Sequence, residues 1–200
     1  MTWRRSSNHY KEKDFMGKSS KPLPQSPSGI SGKFFGRIME WLNSGAYYKT
    51  IKALEPKKDE RFLEIGFGTG RFAELLLTGT SGVFMAGLDP TSTMVVTAQQ
   101  RFKRKGLGNQ VDFREGTDEI IPWDNEDFDA VIAIHSFQFW QNPENTFKEI
   151  NRVLKPNGRM ILVFRNHSSN PPDWLPNPIS RSGQEVELTT TARKLWLCFN

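Results

Sequence analysis

The sequence predicts an α/β fold in which a mainly parallel sheet is doubly wound, with helices on both faces. Short apolar runs alternate along the chain with segments whose apolar residues recur at helical spacing. The apolar run over 128–134 is interrupted only by Asp129, which is typical of a strand buried on both faces. Alternation of this kind indicates right-handed crossovers between parallel strands.

The elements follow from these patterns in chain order. Two N-terminal helices are expected at 34–42 and 46–54, the second ending before Pro56. Strands are predicted at 62–65, 83–88, 111–113, 128–134 and 160–164. Helices are predicted from about 70, after the first strand, and at 91–105 and 145–154. The two helices before the first strand can lie across the carboxyl edge of the sheet as a cover.

The charge of the chain divides it into a tail and one domain. Residues 1–33 hold seven lysines and arginines against two acids, which accounts for the net charge of +5. Residues 1–32 are also rich in proline and serine and are expected to be disordered. Such a tail is either a solvated leader, which we favour, or an arm for nucleic acid or an acidic partner. Residues 33–200 are expected to form a single domain, with cover helices at 33–55, a core at 60–165 and a short segment at 166–200.

The composition of the chain bears on its cellular location. No apolar run is long enough to cross a bilayer, and no apolar segment follows the basic N-terminal residues as in a secretory signal. Cys198 has no second cysteine to pair with, which fits a reducing compartment. These features predict a cytoplasmic protein with no membrane partner, and they leave its oligomeric state open.

The stretch from Phe62 to Phe72 reads as a strand, a tight loop and the start of a helix. Gly66, Gly68 and Gly70 permit backbone conformations that a Cβ forbids, and they allow a ligand to approach the main chain closely. The helix that follows directs its free N–H groups into the same space. A nucleotide-sized ligand is the expected occupant, although a plain glycine-rich turn gives the same pattern. A dinucleotide fingerprint would need a small residue where this chain has Arg71.

Several motifs together resemble one enzyme family. Glu64 followed by the alternating glycines is similar to motif I of the class I S-adenosylmethionine-dependent methyltransferases, in particular the methyltransferase type 11-like domain. The segments 121–129 and 147–159 resemble the family's turn before the fourth strand and its helix and turn before the fifth. The resemblance covers about 34–165. It implies a Rossmann-like sheet, S-adenosyl-L-methionine as cofactor, S-adenosyl-L-homocysteine as product and direct in-line methyl transfer.

The predicted cofactor residues lie at strand ends and in the loops beyond them. Asp89 ends the second strand and can accept hydrogen bonds from both hydroxyls of a ribose, or can cap the next helix instead. The family acid that contacts adenine aligns with Thr117, and the acid here is one residue later, at Asp118. Either Asp118 or a main-chain group therefore contacts the base. The full set is Glu64, Gly66, Phe67, Gly68, Thr69, Gly70, Asp89, Pro90, Thr117, Asp118, Ile134 and His135.

The acceptor side is predicted from the residues after the fourth strand. His135 is a candidate general base because its unperturbed pKa is near neutrality, and a purely local hydrogen-bonding role is the alternative. The expected acceptor is a small, partly apolar molecule, with nucleic acid unlikely as a partner and no metal required. Candidate acceptor contacts, which can equally be packing residues, are Phe137, Phe139, Trp140, Tyr47 and Tyr48.

The C-terminal segment motivates a second hypothesis. Family members usually continue past the fifth strand with a helix and an antiparallel hairpin, and only 35 residues follow Arg165 here. We therefore expect an incomplete C-terminal hairpin. The alternative function is a non-catalytic binding module that keeps the fold and docks on a partner or on nucleic acid through the basic tail.

Overall fold

The structure is a computed structural model and describes residues 44–165 and 193–199. Its four helices are α1 at 44–54, α2 at Arg71–Gly79, α3 at Ser92–Arg104 and α4 at Pro143–Val153. Its six strands are β1 Arg61–Ile65, β2 Phe84–Asp89, β3 Val111–Glu115, β4 Phe128–Ile134, β5 Leu154–Arg165 and β6 Arg193–Phe199. Single 3₁₀ turns lie at Gly108–Gln110 and Phe137–Phe139.

All six strands pair in parallel in the order β3-β2-β1-β4-β5-β6. The chain moves outward from β1 to β3, then crosses back to place β4 on the other side of β1. The strand order therefore reverses between β1 and β4. In open sheets of this kind, ligands bind at such a point, in the crevice beyond the carboxyl ends of the strands. The predicted doubly wound α/β sheet is confirmed.

Two apolar cores cover the two faces of the sheet. One contains the buried sides of α2 and α3, such as Phe72 and Phe102, and α1 packs against it through Tyr47 and Ile51. The other contains the buried side of α4 together with Phe128 and residues from the 117–123 segment. The apolar side chains of β1 divide between the two cores, with Phe62 in the first and Leu63 and Ile65 in the second, and Glu64 is the one buried acid of this central strand.

The second predicted N-terminal helix is present as α1, and the first, at 34–42, lies outside the described residues, as does the predicted tail at 1–32. Within the described residues, α1 packs against the core that also contains the buried sides of α2 and α3, and a cover of the carboxyl edge stays a prediction. Burial of one apolar face, including Leu54 at 1% exposure, decides this position.

Two differences concern the C-terminal half. Strand β5 begins at Leu154 instead of Met160, because Leu154 pairs with Phe128 before a register shift leads into the regular ladder from Arg159. The described C-terminal residues form one strand, β6, that is parallel to β5, and not an antiparallel hairpin. A parallel connection needs a crossover of about a dozen residues or more, and the 27 residues between Arg165 and Arg193 meet that requirement.

The amino edge of the sheet carries ion pairs. Arg61 at the start of β1 forms a two-point contact with Asp127, with distances of 2.9 and 3.1 Å. Asp129 accepts hydrogen bonds from the Arg61 main-chain N–H at 2.9 Å and from the Lys155 ammonium at 2.8 Å. Arg159 pairs with Glu60 at 2.8 Å. These groups hold the strand starts together, at the end of the sheet opposite the crevice.

None of the described helices is long and apolar enough to cross a membrane.

Candidate functional site

The loop after β1 begins with a glycine that the packing requires. Gly66 has φ of +76°, and its N–H donates to the Leu88 carbonyl at 2.7 Å. A Cβ at this position would lie 2.5 Å from the Cβ of Ser136. The Ser136 hydroxyl donates to the Ile65 carbonyl at 2.8 Å, so the loops after β1 and β4 are in direct contact. This contact closes the floor of the crevice.

The other two glycines of the loop have different surroundings. Gly70, with φ of +76°, lies directly before α2, and a Cβ there would approach Ala98 and Phe102 of α3 to 3.2 Å. Gly68, with φ of +56°, has no atom within 4 Å of the position a Cβ would occupy. Internal packing therefore explains Gly66 and Gly70, whereas Gly68 faces open space at the crevice.

The residues between the glycines point into the protein. Phe67 is buried with its ring centroid 4.7 Å from that of Phe113, and both rings meet the face of Gly87, where no Cβ would fit. Thr69 is also buried, at 6% exposure. The Phe67 side chain is therefore a core residue, whereas its main chain lies in the glycine loop.

Asp89 ends β2 beside the glycine loop and is 6% exposed. Its Oδ2 accepts the N–H of Gly68 and its Oδ1 accepts the N–H of Thr91, each at 2.9 Å. Burial raises the pKa of Asp89, and hydrogen bonds from the two N–H groups and from the Thr91 side chain oppose that rise. The Asp89 side chain thus holds both the glycine loop after β1 and the turn that leads into α3. The Asp89 carboxylate retains acceptor capacity for a further donor. Pro90, next in the chain, is exposed.

Glu64 is buried inside β1 at 3% exposure, and its Oε2 has no hydrogen-bond partner among the described residues. Burial raises the pKa of Glu64 well above its ordinary value, and the neighbouring Asp89 carboxylate raises it further. A buried polar atom without a partner costs about 1–3 kcal/mol, and more when it is charged. A cationic or donating ligand group in the crevice would remove that cost.

The loop after β4 forms the opposite wall. Ile134 is buried at the strand end, and His135 follows with φ of +53°, a conformation rare for a residue with a side chain. The His135 N–H donates to the Val163 carbonyl of β5 at 2.8 Å, which holds this turn in place. The His135 side chain is half-buried. Backbone strain of this kind is common at functional sites and motivates a functional hypothesis.

The aromatic residues of this loop separate into two groups. Phe137 and Trp140 are buried and form a three-ring cluster with Phe147 of α4, with centroid distances of 5.2, 5.4 and 6.3 Å. Phe139 is 51% exposed. The first two anchor the loop on α4, and Phe139 is the ring of this loop that is open to an acceptor.

The remaining predicted residues are not gathered at the crevice floor. Tyr47 is partly buried with its ring 6.1 Å from that of Phe72, and Tyr48 is 61% exposed. Thr117 is exposed in the turn after β3. The Asp118 carboxylate accepts a hydrogen bond from the hydroxyl of Thr146 on α4. The described residues contain no cluster of His, Cys, Asp and Glu suited to a metal ion.

The site also contains a residue that sequence reasoning missed. Ser136 joins the two walls through its hydroxyl and through its contact with Gly66. Nothing in the sequence near Ser136 signals this role, because the contact depends on β1 and β4 being neighbours in the sheet.

The residues that do converge are Glu64, Gly68, Asp89 and the turn at His135. Together they offer two carboxylates and the main chain of a glycine loop around open space at the strand-order reversal. This donor set fits a ligand that carries hydroxyls and a cationic amino group. It does not resemble a phosphate site, since two buried carboxylates would repel an anion.

Comparison with known proteins agrees with this chemistry. A family profile described as a methyltransferase domain matches residues 63–162. The malonyl-[acyl-carrier protein] O-methyltransferase of Paenibacillus sp. (strain JDR-2) is 36% identical over 114 residues, which are 56% of this chain and 40% of that protein. The uncharacterized methyltransferase YdaC of Bacillus subtilis (strain 168) is 29% identical over 130 residues, 65% of this chain and 70% of YdaC.

A solved structure is similar as well. The YcgJ protein of Bacillus subtilis superposes with a TM-score of 0.55 at 30% identity, covering 60% of this chain and 50% of that structure. The chain thus spans 40% of the length of the Paenibacillus relative and half of the YcgJ structure. Because the methyltransferase-domain profile covers half of the chain, the chain belongs to the class I S-adenosylmethionine-dependent methyltransferase family.

Proposed function

We propose that the crevice between β1 and β4 binds S-adenosyl-L-methionine and that the chain transfers its methyl group to a small, partly apolar acceptor by direct in-line displacement. The observation that carries this proposal is the unpartnered buried oxygen of Glu64, which lies beside Asp89 and the open face of Gly68. An adenosyl ligand with an amino acid end supplies the hydroxyls and the ammonium that these groups lack.

Each wall of the crevice has a role in holding this ligand. Asp89 would accept hydrogen bonds from the ribose hydroxyls, and Glu64 would accept one from the ammonium. The main chain at Gly66, Gly68 and Gly70 would lie along the amino acid end. Pro90, Ile134 and the turn at Thr117 would border the adenosine.

The acceptor would enter beside the turn at His135. When bound, the sulfonium donor supplies a methyl group that is already activated, so the protein mainly has to align the acceptor and exclude water. Phe139 offers an exposed apolar surface for that alignment. His135 would take a proton from an acceptor hydroxyl or amine.

Isothermal titration calorimetry with S-adenosyl-L-homocysteine tests the binding step. Gly68→Leu should abolish the binding heat because the side chain would fill the open space. Gly106→Leu is a matched control, since Gly106 also has positive φ, +68°, and no atom near its Cβ position, but follows α3 far from the crevice. Absence of binding by the unmodified chain at millimolar ligand would refute the proposal.

A methyl-transfer assay separates the enzyme from a second candidate, a non-catalytic binding module. The displaced acid at Asp118, held by α4, motivates this candidate. Incorporation of labelled methyl into an organic-extractable small molecule from a cell extract would support the enzyme. Donor binding with no incorporation into any fraction would favour the binding module.

A further inference from the structure

The segment between β3 and β4 is held in place by one polar stripe of α4. Arg152 donates to the carbonyl of Ile121 at 2.8 Å and to the carbonyl of Trp123 at 2.9 Å, and Glu149 accepts the N–H of Ile121 at 3.0 Å. Thr146 donates to Asp118. Positions 146, 149 and 152 recur every three residues and therefore share one face of the helix.

The turn at 116–118 starts this segment and is fixed at both ends. The N–H of Gly116 donates to the Asp89 carbonyl at 3.1 Å, which ties the turn to the strand end that carries the proposed ribose contact. A Cβ at Gly116 would lie 2.9 Å from Leu88, so the turn packs closely on β2. Asp118 provides the attachment on the other side, to α4.

The Asp118 carboxylate has a strong partner in α4. Thr146 is fully buried, and its hydroxyl is also 3.0 Å from the Asn142 carbonyl, but a single hydroxyl proton favours the charged acceptor. Thr146 lies in the first turn of the eleven-residue α4, where the helix dipole favours negative charge. The hydrogen bond from Thr146 and the helix dipole both hold the Asp118 carboxylate on α4.

We propose that Asp118 is a positioning residue that fastens the 116–118 turn to α4 and does not itself contact the adenine 6-amino group. The proposal rests on the adenosyl site proposed above. In the sequence, the acid is one residue away from the family position, which the exposed Thr117 occupies. A main-chain group and not the Asp118 side chain would then contact the base. Replacing the Asp118 carboxylate with a neutral amide should therefore leave the preference of the site for adenine unchanged.

Calorimetry with two ligands tests this assignment. S-adenosyl-L-homocysteine and S-inosyl-L-homocysteine differ at the base, where an oxo group replaces the 6-amino group. In Asp118→Asn the amide oxygen still accepts from Thr146, so the ratio of the two dissociation constants should change by less than about threefold. If the Asp118 carboxylate contacts the amino group, the amide variant should instead shift the ratio by roughly tenfold or more toward the inosyl ligand, which would overturn the proposal.

Substitution of Thr146 tests the attachment of the 116–118 turn to α4. Thr146→Val should weaken both ligands by a similar factor, roughly three- to tenfold, and Thr146→Ser should restore the affinity. Thr50→Val is the matched control, because Thr50 is equally buried and its hydroxyl donates to the carbonyl four residues earlier in α1. Unchanged affinity in Thr146→Val would overturn the proposal. Failure of the unmodified chain to bind either ligand would instead refute the adenosyl site.

Discussion

At the scale of single residues, two buried glutamates ten positions apart have opposite environments. Glu64 lies in β1 beside Asp89, and burial followed by that carboxylate raises its pKa. Glu74 lies in α2 with contacts to Lys105 at 2.7 Å, Arg71 at 3.0 Å and Arg101 at 3.6 Å. Burial alone would raise the pKa of Glu74, but these three cations lower it. Glu74 therefore stabilises the fold when ionised, whereas Glu64 does so when protonated.

The pH dependence of unfolding should differ in sign between Glu64→Gln and Glu74→Gln. A raised pKa means that the folded chain holds the Glu64 proton more tightly, so this contribution is present below about pH 4.3 and is lost as pH rises through the folded pKa. Urea unfolding from pH 4 to 8 should show the stability of Glu64→Gln improving relative to the parent as pH rises.

The Glu74→Gln variant should lose stability relative to the parent as pH rises from about 2 to about 5, because the pKa of Glu74 is lowered and its window lies below that of Glu64. The ionised form is favoured in the folded state, so its contribution is present above about pH 4.3 and disappears as pH falls through the folded pKa. Parallel curves for the two variants would contradict the assigned environments.

At the scale of elements, the loop after β4 depends on α4. Phe147→Ala should lower the free energy of unfolding by about 3–5 kcal/mol, because it removes a buried ring from the cluster with Phe137 and Trp140. Phe139→Ala should change stability by less than about 0.5 kcal/mol, since this ring is exposed. Guanidinium unfolding of both variants measures the contrast. An equal loss in both would show that Phe139 also packs in the fold.

Element boundaries show what a sequence can and cannot reveal. The strand at 128–134 and the helix predicted at 91–105 match β4 and α3 closely, because apolar periodicity reports burial directly. The early start of β5 was missed because the run Lys155-Pro156-Asn157-Gly158 has the composition of a turn. The attachment of Asp118 to Thr146 joins residues 28 positions apart, and local patterns contain no information on such a contact. The proximity of Glu64 and Asp89 was predictable from the sequence because the ends of parallel strands share one edge of the sheet.

At the scale of the whole molecule, ion pairs and the proposed ligand site occupy opposite edges of the sheet. Asp129→Asn should lower the free energy of unfolding by roughly 0.5–1 kcal/mol, because it weakens the contact with Lys155 while keeping an acceptor for the Arg61 N–H. The affinity for S-adenosyl-L-homocysteine should stay within about twofold of the parent, since ion pairs at the far edge lie beyond about 10 Å of screening.

Glu144→Gln is the control for an ion pair in full contact with solvent, because the Glu144 and Lys148 side chains are exposed on α4. Thermal unfolding of this variant should match the parent. A loss of ligand affinity in Asp129→Asn would show that the two edges are energetically coupled.

The contact between Gly66 and Ser136 has a consequence for amide hydrogen exchange. The Gly66 N–H is bonded to a carbonyl of β2 where the loops after β1 and β4 meet, so its exchange should be slow with or without ligand. The Gly68 N–H is bonded to the Asp89 side chain on the open side, where solvent reaches it until a ligand covers the loop. Exchange followed by NMR should therefore show S-adenosyl-L-homocysteine slowing Gly68 while leaving Gly66 unchanged. Slowing of both amides to the same degree would mean that the contact between Gly66 and Ser136 opens in the free protein. Ligand binding would then close this contact as well as fill the crevice.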